Sequence, residues 1–253
     1  KMRDCVVDLG LKNKNTIVTG GTRGIGLAAA KACAAEGANL SICGRNQASL
    51  DRAKQELAVY GTTVHGAMCD ISDANQIAAY INDALVALGG LDGLVNNPSG
   101  FGSSDDEEGW EKGLDVDVMG VVRCTWAATP ALKKSKGAIV NVSSISGIGA
   151  SSNVPYGAVK AAVIQLTQSH ALTMAGDRIR VNCVAPGSIE FAGGVWDMVK
   201  ENAPDIYKAT LWGIPFGRMS QPGDFGDVVA LLLSDRTGWV TGQTIAIDGA
   251  QNL

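Results

Sequence analysis

Several things are scarce in this sequence. Its 253 residues hold two histidines, His65 and His170, and the six cysteines (Cys5, Cys33, Cys43, Cys69, Cys124, Cys183) form no Cys-x-x-Cys pair. Zinc-ligand spacing is therefore absent. No stretch of 18 apolar residues occurs, which excludes a membrane-spanning helix. Charged residues make up 18%, with 21 Lys and Arg against 25 Asp and Glu, a net charge of -4. Nothing in that balance supplies the basic face of a nucleic-acid binder. An apolar signal segment is lacking at the start, and a chain this long does not depend on disulfides. The expectation is reduced, mostly buried thiols in a cytoplasmic protein. The opening Lys1-Met2 reads as a missing start or as added residues. Linkers rich in Pro or Ser, internal repeats and low-complexity tracts are absent too, so one domain is expected over 1–253.

What is abundant is glycine and apolar surface. Hydrophobic residues reach 46%, enough for a sizeable core. Glycine, 32 residues, is nearly twice the usual ~7% and follows no collagen period. Such an excess marks places where backbone turns tightly or approaches something closely.

Short apolar runs alternate with longer alanine-rich amphipathic ones. Strands are expected at Asn15–Thr19, Asn39–Cys43, Thr63–Cys69, Leu91–Asn96, Ala138–Ser143, Ile179–Val184 and Thr244–Ile247. Helices are expected at Ile25–Glu36, Asn46–Tyr60, Asp73–Leu88, about Trp110–Leu132, Tyr156–Ala175 and Phe225–Leu233. Gly37, Gly61 and Gly89 are placed to stop the first three. Strands alternating with helices of 12–20 residues imply an α/β fold with a doubly wound parallel sheet, Rossmann-like. The acidic run Asp105-Asp106-Glu107-Glu108 reads as a solvated helix N-terminus.

Between the first strand and the first helix stands Thr19-Gly20-Gly21-Thr22-Arg23-Gly24-Ile25-Gly26. Gly20, Gly24 and Gly26 allow a tight turn, close approach of backbone N–H groups to a pyrophosphate, and close helix–strand packing. The alternative is a glycine turn chosen only for packing. NAD-binding folds place a carboxylate at the end of the second strand for the ribose 2′-OH. Here the chain reads Cys43-Gly44-Arg45-Asn46, and Gly44 leaves room where an acid would stand. Arg45, with Arg23, suits a 2′-phosphate, so NADP(H) is expected over NAD(H).

Tyr156-Gly157-Ala158-Val159-Lys160 opens the long helix, and i, i+4 spacing puts phenol and ammonium on one face. A free phenol is a poor base at neutral pH, and a neighbouring cation favours phenolate. Alone, the pair is equally well a surface contact. Upstream, Ile139-Val140-Asn141-Val142-Ser143-Ser144 ends in hydroxyls at the carboxyl edge of the sheet, where ligands bind in such folds.

Together these pieces resemble the short-chain dehydrogenase/reductase family from about Leu11 to Gly249. The matching residues are Thr19-Gly20-x-x-x-Gly24-x-Gly26, Asp70, Asn96-Asn97, Ser143-Ser144, Tyr156-x-x-x-Lys160, Arg180-Val181-Asn182-Cys183-Val184-Ala185-Pro186-Gly187 and Thr241-Gly242-Gln243…Asp248-Gly249. The resemblance implies that Tyr156 exchanges a proton with the substrate oxygen, and that Lys160 tunes it and holds the nicotinamide ribose. A serine polarises the carbonyl, and Gly147 aligns better with Ser144 than with Ser143. Gly20, Thr22, Arg23, Gly24, Ile25, Gly26 and Arg45 would line the cofactor. So would Asp70 and Ile71 at the adenine, Asn96 beside the adenosine ribose, and Pro186, Gly187 and Ile189 along the nicotinamide. A homotetramer touching through 110–132, 156–175 and the C-terminal strand is also implied.

Two departures stand out. Leu114-Asp115-Val116-Asp117-Val118 puts Asp117 where the family commonly has an Asn that holds a relay water, and a carboxylate there competes for the charge of Lys160. Asn96-Asn97-Pro98-Ser99-Gly100 replaces the usual Asn-Asn-Ala-Gly and points to an altered turn. The substrate loop is expected at about 188–218. It holds Phe191, Trp196, Tyr207, Trp212 and Phe216, five of the chain's 13 aromatics, with Gly193-Gly194 as a hinge. These aromatics form either an apolar lid or packing against core or partner subunit. Glu190 stands where a Thr often follows Ile189 in the family, with no assigned role. The leading expectation is an NADPH-dependent reductase of an apolar small-molecule ketone, reversible as an alcohol dehydrogenase. A 3-oxoacyl-thioester reductase and a weakly active NADP-binding sensor are the alternatives.

Overall fold

The apolar runs become seven strands of a single parallel sheet in the order β3-β2-β1-β4-β5-β6-β7. These are β1 (Asn15–Val18), β2 (Asn39–Gly44), β3 (Val64–Met68), β4 (Gly93–Asn96), β5 (Ala138–Val142), β6 (Arg180–Pro186) and β7 (Thr244–Ile247). The computed structural model describes residues 8–102 and 104–253. Cys5, one of the thiols expected to be buried, lies outside the described residues; the other five cysteines are free and buried.

Helices α1 (Gly24–Ala35), α2 (Gln47–Ala58) and α3 (Ala74–Leu88) connect the first four strands. Side-chain caps and left-handed glycines fix their ends. Asp73 accepts from the N–H groups of Asn75 and Gln76 at the start of α3, Asn46 accepts from Ser49 at α2, and Gly89 closes α3 at φ 76°. Strand β1 pairs with both β2 and β4, so the chain reverses direction across the sheet there. A crevice therefore opens beyond the carboxyl ends of β1 and β4, the usual ligand position of such sheets.

The helix expected over Trp110–Leu132 is broken. It runs as α4 (Glu107–Lys112), a π-helical turn over Gly113–Met119, and α5 (Gly120–Ser135). A π turn adds one residue and offsets the side chains that follow by about 100°, which a single helical period does not describe. Asp117 lies within this turn and is 1% exposed. The acidic run does begin a helix: Asp106 caps α4 by accepting from Gly109 N–H at 2.8 Å.

The long helix α6 (Val154–Met174) leads into β6, and α9 (Pro222–Leu233) packs across α1. Between them the substrate loop is not a loop. It folds into α7 (Val195–Asn202) and α8 (Pro204–Trp212), neither with a buried residue. Pro204 starts α8 and Gly213 ends it, signals present in the sequence but outweighed there by the glycines and scattered aromatics. Two apolar clusters cover the sheet. One is centred on Val18, Ile42 and Phe225, the other on Ile17, Ile139 and Tyr80.

Candidate active site

Four strand ends converge on the crevice. After β1 the glycine turn swings into α1, with Gly20 at φ 62° and Gly24 at φ 55°, both in the left-handed region. A methyl at Gly26 would collide with the Gly20 carbonyl, so only glycine lets the helix start so close to the strand. The first-turn N–H groups of α1 have no helical partner, and Arg23 provides no side-chain cap. That leaves anion-ready donors at the crevice. Asn97, to which sequence reading gave no role, clamps this turn. Its N–H donates to Thr19 Oγ1 at 3.0 Å, and its Nδ2 donates to the Thr19 and Gly20 carbonyls at 3.4 and 3.3 Å.

At the end of β2, Arg45 is exposed, as is Arg23 in the turn. The space above Gly44 is not open: a methyl there would lie 2.7 Å from the Thr22 side chain, which fills it. Asp70, after β3, accepts from the N–H and hydroxyl of Ser72 at 3.0 and 2.8 Å, and Ile71 is buried beside it.

The Asn96 side chain faces inward rather than into the crevice. It is fully buried and donates to Thr125 Oγ1 at 3.2 Å and to Asn141 Oδ1 at 2.9 Å. Asn141 in turn donates to Thr167 Oγ1 at 2.9 Å. The row ties β4, β5, α5 and α6 together. An asparagine in the middle of the apolar run Ile139–Val142 was the sequence signal for it. Pro186 and Ile189 are likewise buried, Ile189 packing into the first apolar cluster. Gly187 bonds to the Ile247 carbonyl at 3.0 Å.

The two serines separate cleanly. Ser143 donates its hydroxyl to the Lys160 carbonyl at 2.7 Å, so its proton is committed to α6. Ser144 Oγ accepts from Ser146 N–H at 3.2 Å, which leaves its own proton free to donate. Gly147 lets the short turn after Ser144 lie on α6; a methyl there would meet the backbone of Lys160 and Ala161 at 2.6 and 2.7 Å.

Beneath them sits a buried pair of opposite charges. Lys160, 2% exposed, pairs through Nζ with Asp117 Oδ1 at 2.8 Å and donates to the carbonyls of Val142 (3.2 Å) and Pro98 (3.4 Å). Asp117 Oδ2 accepts from Gly100 N–H at 2.7 Å. The Pro98–Gly100 turn is thus part of the site, holding both members of the pair. Burial works against the Lys160 charge. The Asp117 carboxylate and Tyr156 phenol outweigh it, and the pKa of Lys160 is raised above its ordinary 10.5. Its Nζ lies 5.6 Å from the centre of the half-buried Tyr156 ring.

Over the crevice the segment 188–218 is held from its base. Glu190 accepts from Lys200 Nζ and from Tyr207 Oη, each at 2.7 Å, and these bonds from Lys200 and then Tyr207 hold its carboxyl below the usual range. Phe191 packs against the first apolar cluster, Trp196 is half-buried, and Trp212 and Phe216 are exposed. The aromatics therefore do not form one lid surface.

A family model described as Enoyl-(Acyl carrier protein) reductase matches residues 20–251. The chain is 36% identical over 246 residues to 2-(S)-hydroxypropyl-CoM dehydrogenase 3 of Xanthobacter autotrophicus (strain ATCC BAA-1158 / Py2), covering 94% of this chain and 96% of that protein. Among solved structures, L-sorbose reductase from Gluconobacter frateurii, complexed with NADPH and L-sorbose, superposes with a TM-score of 0.88 at 28% identity, covering 96% of this chain and 98% of that one. An NAD+-bound xylitol dehydrogenase superposes at 0.89 with 25% identity, covering 95% and 99%.

Proposed function

The chain belongs to the short-chain dehydrogenase/reductase family, an oxidoreductase acting on CH-OH and C=O groups, and from that premise we propose that it is an NADPH-dependent reductase of a small ketone. The observation that carries this reading is the division of labour at the end of β5. There the Ser144 hydroxyl proton is free while Ser143, Lys160 and Asp117 are locked in place. Ser144 donates to the substrate oxygen, and Tyr156 delivers the proton to that oxygen in the reductive direction and removes it in the oxidative one. Lys160 sets the electrostatics around the phenol, and Asp117 holds Lys160. The cofactor supplies or accepts the hydride.

The first turn of α1 and the glycines before it would hold the pyrophosphate. Asp70 and Ile71 would meet the adenine, and Gly187 would border the nicotinamide. Arg45 and Arg23, both exposed at the adenosine end, support a 2′-phosphate and hence NADP(H). The exposed Met198, Ile206 and Phe216 on and beside α7 and α8 support an apolar substrate. Exposed Trp126 on α5 and Leu172 on α6 support those helices as contacts of a homotetramer.

The test is a panel of bulky aromatic ketones and acetoacetyl thioesters with NADPH and NADH in parallel, repeated with Arg45→Asp. Turnover with NADPH, lost far more than turnover with NADH in the variant, is the expected result. Equal losses with both cofactors overturn the 2′-phosphate assignment, and preference for the thioester selects the 3-oxoacyl-reductase reading. Tight NADPH binding without turnover of any substrate would make the chain a sensor.

A further inference from the structure

The phosphate cradle is not an open glycine turn. The ring of Phe191 lies across it, slotted between two glycines from opposite ends of the chain. A methyl at Gly24 would stand 2.5 Å from Cζ and 2.8 Å from Cε2 of that ring, and a methyl at Gly194 would stand 3.0 Å from Cε1 and Cζ. Gly24 is the first residue of α1, whose free N–H groups are the anion donors of the site. An anion approaching α1 over Gly24 therefore meets an aromatic ring before it meets N–H groups.

The ring's surroundings differ on its two sides. On the chain side before it, Glu190 is fixed: its N–H donates to the Ser220 carbonyl at 2.9 Å, and its carboxylate takes Lys200 and Tyr207. On the side after it, the chain turns through Gly194 N–H to the Phe191 carbonyl, and Gly193 sits at φ 71° with nothing within 4 Å of where a side chain would be. Gly193 N–H donates to Asp197 Oδ2 of α7 at 2.7 Å, so the root of the turn is tied to Ser220, Lys200 and Tyr207 while its other side is tied to α7, and the ring lies between them.

We propose that Phe191 is a gate on the phosphate cradle, and that its ring leaves Gly24 before a dinucleotide pyrophosphate reaches the α1 N-terminus. This rests on the cofactor reading above. Because the ring and α7 share the turn at Gly193-Gly194, binding of the pyrophosphate and repositioning of the α7–α8 segment are one event. A binding-competent state that is only partly populated weakens apparent affinity by the fraction populated.

The experiment is titration of the wild-type chain and of Phe191→Ala with NADPH, followed by tryptophan fluorescence and calorimetry. Adenosine 2′-monophosphate, which carries the 2′-phosphate but no pyrophosphate, is the second probe. NADPH is expected to bind the variant about tenfold more tightly, with adenosine 2′-monophosphate unchanged within about twofold. Mixing NADPH with the wild type is expected to give an observed rate that levels off with concentration, and with the variant a rate that rises linearly. Phe191→Leu keeps apolar volume against the core without the ring, so it gives the same tightening if the alanine variant is poorly folded. Unchanged or weaker NADPH binding in a folded variant overturns the gate, because the ring would then be part of the binding platform. Absence of NADPH binding by every form, Phe191→Leu included, overturns the cofactor reading and the gate with it.

Discussion

The floor of the crevice and the segment that overhangs it are built on opposite principles. In the floor, Asp117, Lys160, Ser143, Asn96 and Asn141 are all at most 2% exposed, and each is held by bonds from different elements. In the overhang, α7 and α8 bury no residue, and Trp212 is 91% exposed. A buried, bonded charge holds its geometry because any displacement leaves it unsatisfied in low dielectric. Exposed side chains on an open segment cost little to move. On the proposed function, proton handling falls to the rigid half and substrate choice to the adaptable half.

The sharpest way to break this contrast is at the reacting group itself. Tyr156→Phe keeps the ring and its packing and removes only the hydroxyl. Steady-state ketone reduction should fall roughly 10²–10⁴-fold, with the thermal melt and NADPH binding unchanged. A comparable loss from a substitution in α7 or α8 would erase the distinction.

Next in size is the counter-ion. Asp117→Asn leaves the Lys160 ammonium buried without its partner, a change expected to cost about 3–5 kcal/mol in urea unfolding at neutral pH. The pH dependence gives a sign to check. In the wild type the folded pKa of Lys160 is raised, so the stability it contributes is complete below its unfolded pKa near 10.4. That contribution is lost as pH rises through the folded value. In the variant the upward pull of Asp117 is gone and burial is opposed only by Tyr156 and Cys183, so the folded pKa falls from its wild-type position and less stability is lost as pH rises. Parallel stability–pH curves for the two proteins would show that the pair does not set the protonation of Lys160.

The smallest effect belongs to the overhang. Glu190→Gln weakens the bonds to Lys200 and Tyr207 at the base of the segment. KM for ketone should change about two- to fivefold together with kcat, with no shift in unfolding. A large stability loss there would mean that the segment is as rigidly built as the floor.

The alternation of β-branched runs with alanine-rich helices was enough for the parallel sheet, because strand and helix periods are local properties. The glycine turn, Tyr156 and Lys160, and the end of β5 were readable for the same reason: each is a short pattern at a defined chain position. The π turn at Gly113–Met119, the inward asparagine row and the filled space above Gly44 were not, since each depends on what another segment places beside it.

By itself, then, the sequence determined the fold class and the short patterns from which the candidate site is assembled. Only the tertiary structure decided what the side chains in those patterns are free to do. It committed the Ser143 proton and released that of Ser144, buried Asp117 against Lys160, and laid Phe191 across Gly24. The physical reason is that freedom to donate, accept or move is set by neighbours from distant parts of the chain, and no local pattern records them.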